Sequence, residues 1–187
     1  MKLTRKEIID AARTLLIEEG SAGFSMRKVA QNLGMSLGNL QYHFPTRVTI
    51  LEELLERDLE AYRKGFEAIQ HENRRGLDVL KTSIDQILGD SEQQDEVAIF
   101  RALFSFNEPE IIESLHRYYQ ELYQLLEQGL AHLAEVSVDL PRVKQGAALL
   151  FPYIDGYVTT AGFLSIDRNQ VAQLLADQIW SILKSDA

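Results

Sequence analysis

The sequence contains no cysteine and only four prolines. Without thiols the chain forms neither a disulfide nor a thiolate metal site, and nothing in it points to an oxidising compartment. The N-terminal segment 1–16 carries charges among its apolar positions, unlike the uninterrupted apolar segment of a signal peptide. We therefore expect a cytoplasmic protein.

Long apolar runs are also missing. The best candidate for a membrane span, residues 146–166, is about as long as a bilayer is thick, but Asp155 lies in its middle with Pro152 and Gly156 beside it. A charge at that depth costs at least about 2.5 kcal/mol on insertion scales. We expect this segment to form a buried helix, and we expect no membrane partner.

Catalytic and metal-binding patterns are absent as well. The sequence has no glycine-rich phosphate loop, nucleophile elbow or zinc-ligand spacing. Glu113 and His116 form one Glu-x-x-His pair, but a di-iron carboxylate site needs a second pair on another helix; His71 and His132 stand alone. We expect neither an enzyme nor a cofactor. A metal-binding helical bundle and an adaptor that binds only protein remain as alternatives.

Helical periodicity is what the sequence does have. No stretch alternates β-branched residues, while nearly every segment repeats apolar residues at helical spacing, and 45% of the residues are hydrophobic. These features predict an all-α fold of about nine helices. In the second half we expect helices at 74–88, 93–106, 108–135, 141–165 and 168–184, with junctions at Gly89-Asp90-Ser91, Glu108-Pro109 and Asp139-Leu140-Pro141.

Charge is unevenly distributed along the chain. The net charge is −9, but residues 1–50 hold seven Lys or Arg and four Asp or Glu, which gives +3 there and −12 for the rest. Because a basic surface is the usual mark of nucleic-acid binding, the total argues against it while the first fifty residues favour it. A basic head on an acidic body suggests two parts with different partners.

The head shows the start and stop signals of four helices. Two of these helices are short and are separated by Gly34-Met35-Ser36, which predicts a helix-turn-helix motif. The signals, in chain order, are the capping box formed by Thr4 and Glu7, the two glycines Gly20 and Gly23 that end the first helix, the cap Ser25, the left-handed Gly34, the cap Ser36, the breaker Pro45 and the cap Thr46.

The second helix of this pair has side chains suited to a DNA major groove. Asn39 and Gln41 carry amides that pair with adenine through two hydrogen bonds or contact phosphate. The free N–H groups capped by Ser36 can hold a phosphate, and Gly38 lets the helix come close. The alternative is an ordinary helical hairpin whose polar residues face water.

Further donors follow at the end of this helix. Tyr42, His43, Thr46 and Arg47 are suited to phosphate oxygens, and such contacts fix the register on DNA without reading sequence. Two apolar neighbours, Leu40 and Phe44, are expected to be core anchors.

Residues 4–62 contain a longer pattern, formed by Ile8, Ala11-Ala12, Leu15, Gly20, Phe24-Ser25, Val29-Ala30, Leu33-Gly34-Met35-Ser36, Gly38-Asn39-Leu40, Tyr42-His43-Phe44-Pro45 and Leu51. This pattern resembles the DNA-binding domain of the TetR family of bacterial transcription regulators. Gln41 departs from the family, which often has a tyrosine there, and leaves open whether this residue reads a base or holds the backbone. Arg47 replaces the usual lysine and Met35 the usual valine.

This resemblance implies a homodimer that binds a palindromic double-stranded DNA operator, represses the adjacent gene and releases DNA when a small-molecule effector binds. It divides the chain into a helix-turn-helix domain at 2–62, with the motif at 25–44, and an effector-binding and dimerisation domain at 63–187. Two recognition helices would lie about 34 to 36 Å apart. The predicted DNA-contact residues are Ser25, Arg27, Ser36, Leu37, Asn39, Gln41, Tyr42, His43, Thr46 and Arg47; Arg5, Lys6 and Lys28 would add phosphate contacts or stay solvated.

The body should supply the dimer face and the effector pocket. The helix predicted at 141–165 is apolar on two faces, so one face is expected to pack on its own chain and the other on a partner. Asp155 could bind effector, support a dimer contact, or pair with Arg101 or Arg117. The predicted dimer residues are Leu149, Tyr157, Thr160, Phe163, Leu175, Ile179 and Ile182. The predicted effector residues are Phe66, Phe100, Phe104, Tyr119, Tyr123, Tyr153 and Asp155.

Overall fold

The structure is a computed structural model that describes residues 4–91, 94–160 and 167–185. In these ranges the chain forms nine helices and no strand, which confirms the all-α prediction. The helices are α1 (Arg5–Gly23), α2 (Met26–Asn32), α3 (Leu37–His43), α4 (Arg47–His71), α5 (Leu77–Ser91), α6 (Gln94–Phe104), α7 (Pro109–Ala134), α8 (Pro141–Thr160) and α9 (Arg168–Lys184).

Helix α1 begins at the predicted capping box. The Thr4 side chain accepts a hydrogen bond from the Glu7 N–H at 3.2 Å, and the Glu7 carboxylate accepts one from the Thr4 N–H at 2.7 Å. Hydrogen bonds from the Thr4 backbone and hydroxyl lower the pKa of Glu7, because they stabilise its charged form. Near its other end α1 is interrupted at Gly20, which has φ 64° and ψ −170°.

The chain divides into two compact units. Unit 1 comprises Met1–Glu60 and Asp95–Tyr119, and unit 2 comprises Ala61–Gln94 and Gln120–Ala187. The first break lies close to the predicted boundary at 62/63, while residues 95–119 group with the helix-turn-helix. Buried residues of unit 1 include Ile8, Ile9, Leu15, Leu16, Phe24, Leu40, Phe44, Leu51, Phe106 and Ile111. The core of unit 2 includes Leu80, Ile84, Leu88, Leu130, Val143, Leu150, Ala176, Ile179 and Leu183.

Helix α5 differs from its predicted bounds at both ends. It starts at Leu77 because Gly76 adopts φ 93° and donates its N–H to the Leu133 carbonyl at 3.0 Å. Helix α5 continues to Ser91, three residues beyond the expected end and inside the predicted junction Gly89-Asp90-Ser91. A Cβ on Gly89 would lie 2.7 Å from the Arg168 guanidinium, which bonds Asp85 at 2.9 Å.

Helix α8 covers most of the segment that was considered as a membrane span. Pro152 lies inside it and has no N–H to offer the carbonyl one turn back. Within the described ranges, no helix combines the length and apolarity needed to cross a bilayer. Phe163, one of the predicted dimer residues, lies outside the described residues.

Candidate DNA-binding surface

The turn between α2 and α3 is built from local hydrogen bonds. Ser25 caps α2 by accepting the Lys28 N–H at 3.3 Å, and Ser36 caps α3 by accepting the Asn39 N–H at 3.2 Å. Between them Gly34 has φ 62°, a conformation in which glycine is favoured. The next N–H, that of Met35, donates back to the Ala30 carbonyl at 3.0 Å. The predicted helix-turn-helix is therefore present in unit 1.

Helix α3 is anchored on one side by apolar residues. Leu40 and Phe44 are fully buried, as predicted, although α3 has only seven residues and would not be stable alone. Arg5 strengthens this anchor: its guanidinium donates to the His43 carbonyl at 2.8 Å, lies 4.2 Å from the Phe44 ring centroid and pairs with Glu53. Arg5 thus holds the C-terminal end of α3, a role that the sequence did not indicate.

The opposite side of α3 is polar and open to solvent. Ser36, Asn39 and Gln41 are exposed, and Tyr42 is 83% exposed with its ring edge-on to the His43 imidazole at 5.5 Å. Leu37 is half-buried. An exposed tyrosine beside two free amides is an arrangement that can donate to phosphate and reach base edges.

The start of α4 continues this polar surface. Thr46 caps α4 through reciprocal hydrogen bonds with Thr49 at 3.3 and 3.4 Å. Arg47 is already engaged, because its guanidinium forms an ion pair with Glu108 and lies 5.3 Å from the Phe106 ring centroid.

The basic residues of α2 lie on the same unit. Arg27 is exposed, whereas Lys28 forms an ion pair with Glu19 of α1. Pairing within the chain therefore lowers the number of cations that this surface offers to phosphate.

Three of the predicted effector residues belong to unit 1. Phe104 stacks on Tyr119 with ring centroids 5.8 Å apart, and Phe100 lies 6.1 Å from Tyr118, which is buried and bonds Asp58. Phe104 is nevertheless more than half exposed. The side chains form an aromatic cluster on α6 and α7.

The other predicted effector residues belong to unit 2. Phe66 lies edge-on to the His132 ring at 6.4 Å, and the His132 Nε2 atom is buried without a hydrogen bond from any described residue. Tyr123 packs edge-on against Phe151 at 5.6 Å and donates its hydroxyl proton to the Lys144 carbonyl at 3.2 Å. Partial burial, with the charge of Glu127, raises the pKa of Tyr123.

Asp155 and Tyr153 are exposed on α8. Arg117, one partner considered for Asp155, is bonded to Glu52 at 2.8 Å in unit 1. The Ser114 hydroxyl donates to the same carboxylate at 2.9 Å.

The predicted dimer residues differ in burial. Leu175 and Ile179 are buried in the core of unit 2, so they have no surface to offer a partner chain. Leu149 and Thr160 are exposed, Ile182 is half-buried and Tyr157 is buried. Leu174, next to Leu175 and absent from the predicted set, is 60% exposed. A shallow groove on α8 is lined by Pro152, Tyr153, Gly156, Tyr157 and Thr160.

The metal-binding alternative has no site in the part of the chain that the structure describes. There, no three His, Asp or Glu side chains are grouped closely enough to hold an ion. Glu113 and His116 are both exposed on α7.

The fold and this surface define a helix-turn-helix DNA-binding protein. Residues 8–54 match the family described as "Bacterial regulatory proteins, tetR family". A helix-turn-helix-type transcriptional regulator from the dhlA 5′ region of Xanthobacter autotrophicus is 27% identical to this chain, over 96% of the chain and 90% of the relative. This match places the helix-turn-helix domain of the chain in the TetR family of bacterial transcription regulators.

Other matches cover the chain differently. A helix-turn-helix-type regulator from Staphylococcus aureus strain USA300 is 30% identical over 87 residues, so the match spans only 47% of that relative. FadR from Bacillus subtilis, solved in complex with stearoyl-CoA, has a TM-score of 0.75 at 18% identity over 95% of this chain and 98% of its own. NalD, the secondary repressor of the MexAB-OprM efflux pump in Pseudomonas aeruginosa, has a TM-score of 0.65 at 20% identity over 98% and 96%. FadR and NalD therefore share the fold of this chain.

Proposed function

We propose that this regulator is a homodimeric repressor that binds a palindromic operator through α3 and is released by a small-molecule effector. Residues 2–62 would form the DNA-binding domain and residues 63–187 the effector-binding and dimerisation domain of a cytoplasmic protein without catalytic activity. The observation that carries the proposal is α3 itself, which is anchored by buried Leu40 and Phe44 and exposes Asn39, Gln41 and Tyr42.

The exposed side chains of α3 are assigned separate tasks. Asn39 and Gln41 would reach base edges, because their amides offer both a donor and an acceptor in one plane. Tyr42, the N–H groups at the Ser36 cap and Arg47 would bind phosphate. Ser25, Arg27, Leu37, His43 and Thr46 would complete the contact set.

The binding proposal is tested by recovering genomic fragments that the purified protein retains. Asn39→Ala should then weaken binding to the recovered sites by about 1 to 3 kcal/mol if its amide pairs with a base. Asn169→Ala removes an exposed amide on α9 and serves as the matched control. Equal affinity of both variants would contradict the assignment of Asn39. A reporter gene downstream of a recovered site distinguishes repression from activation.

The dimer face would lie on α8 and α9 in unit 2. Leu149 and Tyr153 are each 42% exposed on α8, and Leu174 is 60% exposed on α9, so both helices carry apolar side chains that a partner chain could cover. Gly156 and Thr160 leave a shallow groove beside Tyr153 that a side chain of a second copy could fill. A two-fold axis through this face would use the same residues from both copies.

The introduction of a charge tests the dimer face. Leu149→Glu should weaken dimerisation by about 1 kcal/mol or more, because it places a charge in an apolar contact. Ile112→Glu changes a residue of similar exposure on α7 and should leave the dimer intact. Light scattering coupled to size exclusion gives the oligomeric state; the same mass for Leu149→Glu as for the unaltered protein, over a dilution series, would exclude this face.

The effector is proposed to be largely apolar with a polar end. The predicted effector residues of unit 2, which are Phe66, Tyr123, Tyr153 and Asp155, are mostly aromatic, and this suits such a ligand. The buried Nε2 atom of His132 beside Phe66 adds an unused hydrogen-bonding group in unit 2. Support also comes from FadR, whose structure holds stearoyl-CoA. The melting temperature of the protein, measured with acyl-CoA thioesters and with free fatty acids, tests this class of ligand, because a bound ligand raises it. No rise with either would contradict the proposed class.

A further inference from the structure

Arg47 has two possible anionic partners, the Glu108 carboxylate of the same chain and a phosphate of the DNA. It is the first residue of α4 and directly follows the turn after the recognition helix. Inside the chain it pairs with the Glu108 carboxylate, and its guanidinium lies 5.3 Å from the centroid of the Phe106 ring. The proposed function gives the same guanidinium a DNA phosphate.

The ring beneath Arg47 is fixed in the core of unit 1. Phe106 is 6% exposed and lies edge-on to the buried Phe24 ring at 6.2 Å, immediately before the Ser25 cap of α2. The cation–π contact and the ion pair therefore hold Arg47 on a rigid platform. The pair itself remains accessible, since the side chains of Arg47 and Glu108 are 36% and 33% exposed.

Glu108 weakens phosphate binding by Arg47 in both of the ways in which that binding could occur. If Arg47 leaves the carboxylate for phosphate, the ion pair and the contact with the ring are lost. If it stays and bridges both, the Glu108 charge is brought next to a phosphate of the same sign. Both routes lower DNA affinity relative to a chain that has no carboxylate at this position.

We propose that Glu108 limits the DNA affinity of this regulator by competing with DNA phosphate for Arg47. This inference rests on the proposed phosphate contact of Arg47. It concerns the DNA affinity of the chain without effector, and it assigns a DNA-affinity role to a residue that lies in the connection between α6 and α7, outside the helix-turn-helix.

The Glu108 side chain can be removed without removing its backbone role. Its carbonyl accepts the Ile111 and Ile112 N–H groups at 3.0 and 3.1 Å and so starts α7. Glu108→Gln keeps the size of the side chain. Glu108→Ser is a second variant in case the first is unstable, because serine is favoured where a helix begins. Both variants leave the carbonyl in place.

The experiment measures binding of the full chain to a labelled duplex of about 30 base pairs of mixed sequence, long enough for two half-sites one turn apart. Fluorescence anisotropy is recorded at several salt concentrations, since phosphate contacts do not require an operator. Glu108→Gln should bind about 1.5- to fivefold more tightly per head, as expected for loss of one partly exposed ion pair. The slope of log affinity against log salt should steepen by up to about 0.9 per head, because Arg47 then neutralises one more phosphate charge.

Two further variants separate the contributions. Glu110→Gln removes the same charge two residues away, at an exposed site in the first turn of α7, and should leave affinity nearly unchanged. Arg47→Ala should weaken binding and make the salt slope shallower; this decrease and the increase for Glu108→Gln should together come to about 0.9 per head, because Arg47 neutralises one phosphate charge at most. In the Arg47→Ala background, Glu108→Gln should have no effect beyond that of Glu110→Gln.

The outcomes distinguish this inference from the function on which it rests. If Arg47→Ala changes neither affinity nor slope, the phosphate contact of Arg47 is wrong. If Arg47→Ala weakens binding but Glu108→Gln and Glu108→Ser bind like Glu110→Gln, or less tightly, Arg47 does contact phosphate and the competition is refuted. Circular dichroism melts of each variant verify that the compared proteins are folded.

Discussion

The division of α3 into an anchoring side and a contact side can be tested with two nearby residues. Leu40 is fully buried, and its removal in Leu40→Ala leaves a cavity in a helix of seven residues. Measured leucine-to-alanine substitutions in cores cost about 2.7 to 5 kcal/mol. Because a domain is stable by about 5 to 15 kcal/mol, this change should remove a large part of the stability of the DNA-binding head.

Tyr42 gives the matching surface variant. Its side chain is 83% exposed, so Tyr42→Ala should change the free energy of unfolding by no more than about 0.5 kcal/mol. Its DNA affinity should nevertheless fall, since the hydroxyl is proposed to donate to phosphate. Leu40→Ala should therefore lower the free energy of unfolding by several kcal/mol, whereas Tyr42→Ala should lower DNA affinity with almost no change in the free energy of unfolding.

Urea unfolding followed by circular dichroism, at one fixed protein concentration, gives the stabilities. Anisotropy with duplex DNA, at a temperature where every variant is folded, gives the affinities. A cost below about 1.5 kcal/mol for Leu40→Ala would refute the view that this side chain fills a well-packed site. A loss of stability for Tyr42→Ala as large as that for Leu40→Ala would refute the division of α3 into two sides.

Four further predictions concern the head. Gln41→Ala should change the preference among operator sequences if its amide reads a base, while Gln70→Ala, an exposed amide on α4, should not; uniform weakening across a randomised duplex library would assign Gln41 to the backbone. Gly34→Ala should destabilise by about 1 to 2 kcal/mol in urea because of its positive φ, although a Cβ there meets no atom within 4 Å. Gly38→Ala has the same free space in a helical conformation and should not destabilise, but it should weaken DNA binding if α3 comes close to the duplex. The lowered pKa of Glu7 means that its contribution to stability is present above the unfolded pKa of about 4.3 and is lost as pH falls through the folded value, so the difference between Glu7→Gln and the unaltered protein should vanish in acid.

Features that depend on neighbours in sequence were predicted well. The caps at Thr4, Ser25 and Ser36 act over three residues, and each forms the expected hydrogen bond. The left-handed Gly34 also follows from local backbone preference. Helix α5 nevertheless runs through Gly89 to Ser91, so the position of a glycine in the sequence did not by itself give the last residue of the helix.

Faces of helices were harder to assign than their bounds. Helix α9 is apolar at Leu174 and Leu175, and periodicity alone does not tell which of the two faces the chain's own core. The structure buries Leu175 with Ile179 and exposes Leu174. The choice depends on how α5 and α8 pack against α9, which is tertiary information that the spacing of residues does not contain.

The net charge of the head was also hard to judge from the sequence, and it bears on the proposed binding to DNA. The count of +3 for residues 1–50 leaves out Glu53 and Glu108, which are distant in sequence but pair with Arg5 and Arg47. Lys28 is paired with Glu19 as well. Since long-range attraction to DNA is sequence-independent, these pairs weaken binding to any duplex, whereas hydrogen bonds from α3 to base edges are unaffected by them. Acidic partners for the head's cations should therefore lower non-specific and operator affinity by similar factors, so the ratio that decides whether a regulator occupies its site in a genome depends on the base contacts of α3.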